Sequence, residues 1–486
     1  MVTATNLLKK LLMLTGLGSL AFSVACGGGG GGNFPPPTGG FSNASLSGQF
    51  TYQMSGLTLP NGAPFRESGV FTSDGAGHLT AINDDFALGS NVTTDPGTGS
   101  YSISSDGTGT AVFNFSSGSV SLAITLISAT KFYIVEGDSF ATSFGVGQKQ
   151  DTTALSSIPS GTFVFRNHTL STSQGSTSTV GVFTAANGTL AGTIDRNRAG
   201  VVSSSNITGL FNFPDATGRG SGTFTDSSNA TTSFLYYVVD TNHIQFFSTD
   251  TGIIGIGQAE KQSGAPFAAT SLSGGYAFQT RGDTANNIAG LNTVGRFTAD
   301  GAGNITDGAL DSVEDGASSA NISFTGTYTM SAAGRAAVST NPSTGAEQQI
   351  FWMVSPSRAF SLTNSANVVE DGTVDLQSGS FSNSTLNGQY AFVMDGIDTG
   401  TKDRVGTFLW NGNGGVTTRE FANASGSTST STLSGNYSVA ANGRALGQVN
   451  TLSNNLVFYL ISGNDAYILQ NDSGIEIEGV MSKQPQ

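Results

Sequence analysis

The chain has a single cysteine, Cys26, in 486 residues, which excludes any intramolecular disulfide. Charge is scarce as well: only 11% of residues are charged, and 19 Lys+Arg face 33 Asp+Glu, for a formal charge of −14. A body this acidic repels nucleic acid and anionic lipid surfaces and favours solubility. Histidine occurs only at His78, His168 and His243. No two of these stand at His-x3-His spacing and none lies in a nucleophile motif, so all three read as structural or surface residues, with no metal and no cofactor called for. Tryptophan is limited to Trp352 and Trp410. Their apolar strand neighbours favour core packing over a sugar-stacking platform. Glycine (67 residues) and phenylalanine (32) are abundant, and 37% of the chain is hydrophobic. That is enough for several cores beneath a surface of Ser, Thr, Asn and Gly.

A lone thiol in an exported chain asks for a special role. Lys9 and Lys10 precede an apolar run from Leu11 to Ala25, too short to serve as a mature membrane span. The run ends in Ser23-Val24-Ala25-Cys26, which resembles the lipobox of bacterial lipoproteins, with Ser23 where that family usually has Leu. The resemblance implies cleavage before Cys26, lipidation of Cys26 by several acyl chains, and stable attachment to a membrane. Gly27 after the cysteine resembles the pattern of lipoproteins sent to an outer membrane or cell surface. Residues 1–25 then form a signal peptide, whose loss takes Lys9 and Lys10 with it and moves the formal charge from −14 to −16. Residues 26–44, with six consecutive glycines and Pro35-Pro36-Pro37, form a tether with a reach of roughly 20–25 Å.

Four repeats follow, at 45–150, 158–262, 271–377 and 385–484, each marked by the same signals in the same order. The first is Gly-x-aromatic, at Gly48-Gln49-Phe50, Gly161-Thr162-Phe163, Gly274-Gly275-Tyr276 and Gly388-Gln389-Tyr390. The second is Gly69-Val70-Phe71, Gly181-Val182-Phe183, Gly295-Arg296-Phe297 and Gly406-Thr407-Phe408. The third is Gly-x-aromatic at Tyr101, Phe211, Tyr328 and Tyr437. The fourth is Gly-x4-Gln, ending at Gln150, Gln262, Gln377 and Gln484. The short polar joins between repeats have the length of domain linkers.

Within a repeat the hydrophobic period is two: Phe50, Tyr52 and Met54 share one face, as do Tyr390, Phe392 and Met394. Turn signals such as Asp74-Gly75, Asp106-Gly107, Asp300-Gly301 and Asn442-Gly443 punctuate the strands and make neighbours antiparallel. About eight strands per repeat, without a helical pattern, predict an all-β chain of four tandem antiparallel meanders. Closure into eight-stranded up-and-down β-barrels would remove exposed edges. β-Sandwiches and a single eight-bladed propeller are the alternatives. At fold level the repeats resemble lipocalin and avidin barrels, with Phe50, Phe163, Tyr276 and Tyr390 where those families place Trp.

No motif carries chemistry. The acidic groups Asp84-Asp85, Glu136 with Asp138, Asp311 with Glu314 and Asp315, and Glu370-Asp371 read as turn or surface residues. The Asp-Gly-x-Gly turns lack the alternating ligands of a calcium loop. Arg281-Gly282-Asp283 matches integrin-binding tripeptides, at chance level. The expectation is a non-catalytic, membrane-anchored, extracytoplasmic binding or adhesion module, multivalent through its repeats, with a polysaccharide or cell surface as possible partner. Structural envelope protein, carrier of small apolar ligands inside the barrels, and glycan-acting enzyme are the alternatives. The enzyme reading needs carboxylates that converge from different strands or repeats.

Overall fold

The computed structural model describes residues 40–171, 175–285, 290–343, 345–449 and 455–485. Cys26, the signal segment and the tether up to residue 39 lie outside them. The repeats are four closed barrels of eight antiparallel strands, each strand bonded to its sequence neighbours and the last to the first. In barrel 1 the strands are β1 (Ser47–Thr58), β2 (Pro64–Asp74), β3 (His78–Leu88), β4 (Asn91–Ile103), β5 (Thr108–Phe115), β6 (Gly118–Ser128), β7 (Lys131–Glu136) and β8 (Ala141–Lys149). Barrels 2, 3 and 4 span Gly161–Lys261, Ser273–Leu376 and Asn387–Lys483. Asp95-Pro96-Gly97 has turn composition yet lies within β4. Pro96 pairs with Asn83 of β3 but lies just outside the β4–β5 ladder, which begins at Gly97, so it needs no partner on that side.

The repeat markers are packing devices. The aromatics of the first two markers pair across the first two strands, as Phe50 with Phe71, Phe163 with Phe183, Tyr276 with Phe297 and Tyr390 with Phe408. In barrels 1 to 3 their rings stack at centroid separations of 5.6, 5.5 and 5.4 Å. The third marker closes one barrel end. Tyr101, Tyr328 and Tyr437 each donate their hydroxyl to the carbonyl of a buried Leu in the entering segment, namely Leu46, Leu272 and Leu386. The barrel interiors are filled by these side chains and their neighbours. Barrel 2 leaves an apolar gap of about 30 Å³ between Phe183, Phe211, Phe234 and Phe246, roughly the share of liquid volume taken by one water.

The joins do not behave as free linkers. Leu155 and Phe267 are buried in the cores of barrels 2 and 3. At the N-terminal side, Phe41 packs on the barrel 1 core and donates its N–H to Ser105 O at 3.0 Å, so the last part of the tether segment lies against the barrel.

Nor are the barrels beads on a string. Val70 and Ala87 of barrel 1 pack against Tyr237, Phe247 and Ile254 of barrel 2. Val164 and Val180 of barrel 2 meet Ile350, Trp352 and Phe360 of barrel 3. Ala277, Val294 and Val313 of barrel 3 meet Val457, Tyr459 and Leu469 of barrel 4. Ala391, Val393 and Val405 of barrel 4 return to Ala123, Ile127 and Val135 of barrel 1. Each barrel thus offers its first strands to the late strands of the next, and the fourth contact closes a ring. The Gln of the fourth marker clamps every seam by donating to two carbonyls of the following barrel: Gln150 to Thr217 and Val238, Gln262 to Ala333 and Met353, Gln377 to Asn442 and Leu460, and Gln484 to Asp106 and Leu126.

Three seams carry a further buried lock. Asp85, Asp195 and Asp311, all 0% exposed, each take both arms of an arginine from the next barrel, Arg219, Arg335 and Arg444, and a hydrogen bond from Tyr237, Trp352 or Tyr459. The seam between barrels 4 and 1 has Phe421, Thr108 and Thr125 at the matching register positions. Main-chain bonds from Asp151, Ser263 and Ser378 to Val239, Val354 and Ile461 fasten the same three seams. At the fourth, the residue after Gln484 is Pro485, which has no N–H to give. Gln484, together with Asn423 donating to Glu136 O, Asp138 O and Ala141 O, therefore carries much of the polar fastening there. Gln484→Ala is expected to lower stability by about 1–3 kcal/mol, the cost of taking its side-chain donor from the buried Leu126 carbonyl, since Asp106 O keeps Gln389. Urea denaturation checks it, and an unchanged midpoint would contradict the clamp.

Candidate functional site

Ring closure leaves one large central cavity, of about 1680 Å³, lined by all four barrels. Its wall is built mainly from the first and last strands of each barrel, which lie side by side: β1 and β8, then Gly161–Ser171 with Ile253–Lys261, Ser273–Thr284 with Val368–Leu376, and Asn387–Ile397 with Glu476–Lys483. The Gly of the fourth marker sits on this wall every time. At Gly145 an added Cβ would come 2.0 Å from Gln53 O, and at Gly372 2.0 Å from Gln279 O, so only glycine lets the two strands approach.

The barrels share a backbone but differ in what they show the cavity. One ring of equivalent positions on the first strand reads Ser55, His168, Arg281 and Asp395, and its neighbour on the last strand reads Phe144, Ile256, Asp371 and Glu478. Barrels 1 and 2 contribute Leu57, Phe144, Val146, Leu170, Ile254 and Ile256 together with Arg66, Arg166 and His168, while the carboxylates of the lining come from barrels 3 and 4.

Arg281 is the hub of the charged side. It is 43% exposed, to the cavity, and its guanidinium meets Asp395 at 2.5 Å and Glu478 at 3.5 Å. Its flat face lies 4.9 Å from the Phe144 ring centroid of barrel 1. Asp403, 5% exposed, also lines the cavity, and among the described residues its Oδ2 has no hydrogen-bond partner. Burial raises the carboxyls of Asp395 and Asp403, and for Asp403 the neighbouring Asp395 adds to the rise. Asp371, the cross-strand neighbour of Arg281, accepts from His168 Nδ1 at 3.0 Å and from Ser178 at 2.9 Å, with Arg166 3.4 Å away. Burial alone would raise Asp371, but His168 and Arg166 hold it below the usual carboxylate range.

Burial pushes Glu478 up to about 7, and does the same to Glu370, whose carboxylate accepts hydrogen bonds from Thr280 and Thr363. Between the ordinary carboxylate value and about 7 the folded chain holds protons that the unfolded chain has released. Stability from these groups is thus fully present below the ordinary value and is lost as pH rises through about 7. A higher melting temperature at pH 5 than at pH 8 is expected, with on the order of 2 kcal/mol attached to each group. Glu478→Gln with Glu370→Gln should flatten that slope, and a slope unaffected by the pair would refute the assignment.

Several residues sit in places their sequence context did not suggest. Asp84 and Asp85 are 0% exposed and Glu370 and Asp371 nearly so, not surface residues; Glu136 is buried as well. Asp85 and Asp371 face outward, onto a seam and the cavity, where an outward-facing residue meets another barrel, whereas Asp84, Glu136 and Glu370 bond within their own barrels, to Tyr52, Ser143 and the pair Thr280 and Thr363. Arg281-Gly282-Asp283 lies inside a strand lining the cavity and is not displayed on a loop. His168 faces the cavity, whereas His78 and His243 each bind a nearby Asp at a turn. Trp410 is a core residue of barrel 4, but Trp352 belongs to the seam, donating to Asp195 at 2.8 Å. At the Asp-Gly turn that opens β3, Asp74 Oδ1 accepts the N–H groups of Ala76 and His78, which spends that oxygen on the turn itself.

No family model matches the sequence, and no curated protein matches it. Among solved structures, a double mutant of the vaccine antigen transferrin binding protein B from Haemophilus parasuis is 9% identical, covering 68% of this chain and 75% of that one, with a TM-score of 0.19. CghA is 8% identical over 90% of this chain and 89% of that one, with a TM-score of 0.16. A protein of unknown function of the DUF3598 family from Nostoc punctiforme is 10% identical over 69% of this chain and all of that one, with a TM-score of 0.11. Scores this low carry no argument about function.

Proposed function

We propose that the protein is a non-catalytic, lipid-anchored binding protein of the cell exterior, attached through Cys26, and that its binding site is the central cavity. The single observation behind this reading is a cavity of about 1680 Å³ with apolar side chains and buried charged groups in its lining. Ligand sites are concave, largely apolar and furnished with a few placed polar groups. Four separate weak sites would profit from flexible joins, whereas these joins are docked and the barrels share one cavity. One site built by four barrels is therefore favoured over four sites on one string.

Nile red, a neutral dye that fluoresces in apolar surroundings, is expected to bind the full chain with about one equivalent. Leu57→Trp with Ile397→Trp, two cavity-lining positions, should weaken it at least tenfold. Binding that ignores these substitutions would refute the site.

A glycan-acting enzyme is the second reading. It is favoured by Asp395 and Glu478, which pair across adjacent strands and share Arg281 with a carboxylate-rich wall. Arg281 ties up both carboxylates, which disfavours them as an acid and base pair. Turnover of a polysaccharide panel that is lost in Glu478→Gln would restore the enzyme.

A further inference from the structure

The repeats diverge where they face the cavity, and the divergence gathers carboxyl groups on one side of it. Around Arg281 stand Asp395 and Glu478, in contact with it, and Asp403, whose Oδ2 has no partner among the described residues. Asp283 and Glu476 line the same side, and Arg66 of barrel 1 is the other guanidinium on that side of the wall. On this side carboxyl groups outnumber guanidinium groups, and Asp403 Oδ2 is buried without a partner among the described residues. At Asp403's equivalent positions the other barrels carry Arg66, Ser178 and Asn292, so nothing in the shared fold requires a carboxylate there. A buried carboxyl oxygen with no hydrogen-bond partner costs free energy that a fold does not need to spend, unless a partner arrives from outside.

Resting on the cavity as the binding site, we infer that the cavity receives an amphipathic cation: an ammonium or guanidinium head that docks on Asp403 beside Asp395, carrying an apolar body. The body lies along Leu57, Leu170 and Ile256 of barrels 1 and 2. The head supplies Asp403 with the N–H donors that Arg281, bonded to Asp395 and in contact with Glu478, does not give it. These apolar side chains then supply affinity in proportion to the length of the chain they cover.

The test compares three probes of equal length on the full chain: octylammonium, octan-1-ol and octanoate, by isothermal titration calorimetry at low salt below their aggregation limits. Octylammonium is expected to bind at least tenfold more tightly than octan-1-ol, with octanoate weakest. Asp403→Asn, close in shape, should erase the preference for octylammonium over octan-1-ol while leaving the alcohol's affinity within twofold. The wild-type ranking does not depend on any variant folding. Octan-1-ol or octanoate binding as tightly as octylammonium, or a preference that survives Asp403→Asn, overturns the inference. If no octyl probe binds but Nile red still does, the cation assignment fails and the cavity reading stands. If Nile red fails as well, both fall.

Discussion

Asp195→Ala is expected to cost about 3–5 kcal/mol and to loosen barrel 2 from barrel 3, although no side chain in either barrel's own core is touched. Asp195 is fully buried and accepts Arg335 Nε and Nη2, each at 2.8 Å, and the indole N–H of Trp352 at 2.8 Å. Alanine would leave a guanidinium and an indole N–H facing each other in the seam without an acceptor. The stranded partners, more than the lost attraction, set the size of the effect. Urea denaturation of the full chain measures it. Arg335→Ala combined with Asp195→Ala should cost less than the sum of the two single changes, because the second removes the group that the first leaves unpaired. A loss below about 1 kcal/mol for Asp195→Ala would show that the lock is solvated and structurally idle.

Trp410→Ala is expected to be comparably severe, about 3–5 kcal/mol, for a different reason. Trp410 is 1% exposed in the barrel 4 interior and packs on Phe408, Tyr437 and Phe458 at centroid distances of 5.3, 4.8 and 5.3 Å. Removing the indole leaves a void that rings held by closed strands cannot collapse to fill. Its Nε1 has no acceptor among the described residues, so Trp410→Phe forfeits volume but no hydrogen bond. That change should cost less than about 1.5 kcal/mol. Thermal melts of the two variants decide the matter, and equal losses would mean that the N–H is bonded after all.

The barrels were legible because their determinants are local. Alternation of Phe50, Tyr52 and Met54 sets the inward face, and Asp-Gly turns set the connections. The ring was less visible because its contacts use the outward face, where Asp85 or Asp311 looks like any solvated carboxylate. A signal was nonetheless present in how the repeats differ. Repeats 1 to 3 carry the Asp, repeats 2 to 4 carry the Gly-Arg at Arg219, Arg335 and Arg444, and the two sets are offset by one repeat. Such an offset is the mark of a head-to-tail lock, and its two missing members, at Phe421 and Thr108, locate the seam that joins the last repeat to the first. Gln484 of the fourth repeat donates to Asp106 and Leu126 of the first, as the Gln of each other repeat does to the repeat after it. The cavity was harder still, since Ser55, His168, Arg281 and Asp395 share a register but no residue type. Difference at a position where the rest of the repeat is alike is the trace that function leaves there.

Closure after four contacts also constrains how such a chain can change by duplication. Each seam joins one face of a barrel to a different face of the next, so every added unit turns the chain through the same fraction of a circle. A fraction that completes the circle in four steps leaves a gap with three and a collision or a spiral with five. A gene that gained or lost one unit would encode well-folded barrels with two sticky apolar faces and no common chamber. The copy number of the repeat is therefore a whole number fixed by rotation, and drift in that number is expected to be purged as aggregation rather than tolerated as a longer or shorter arm.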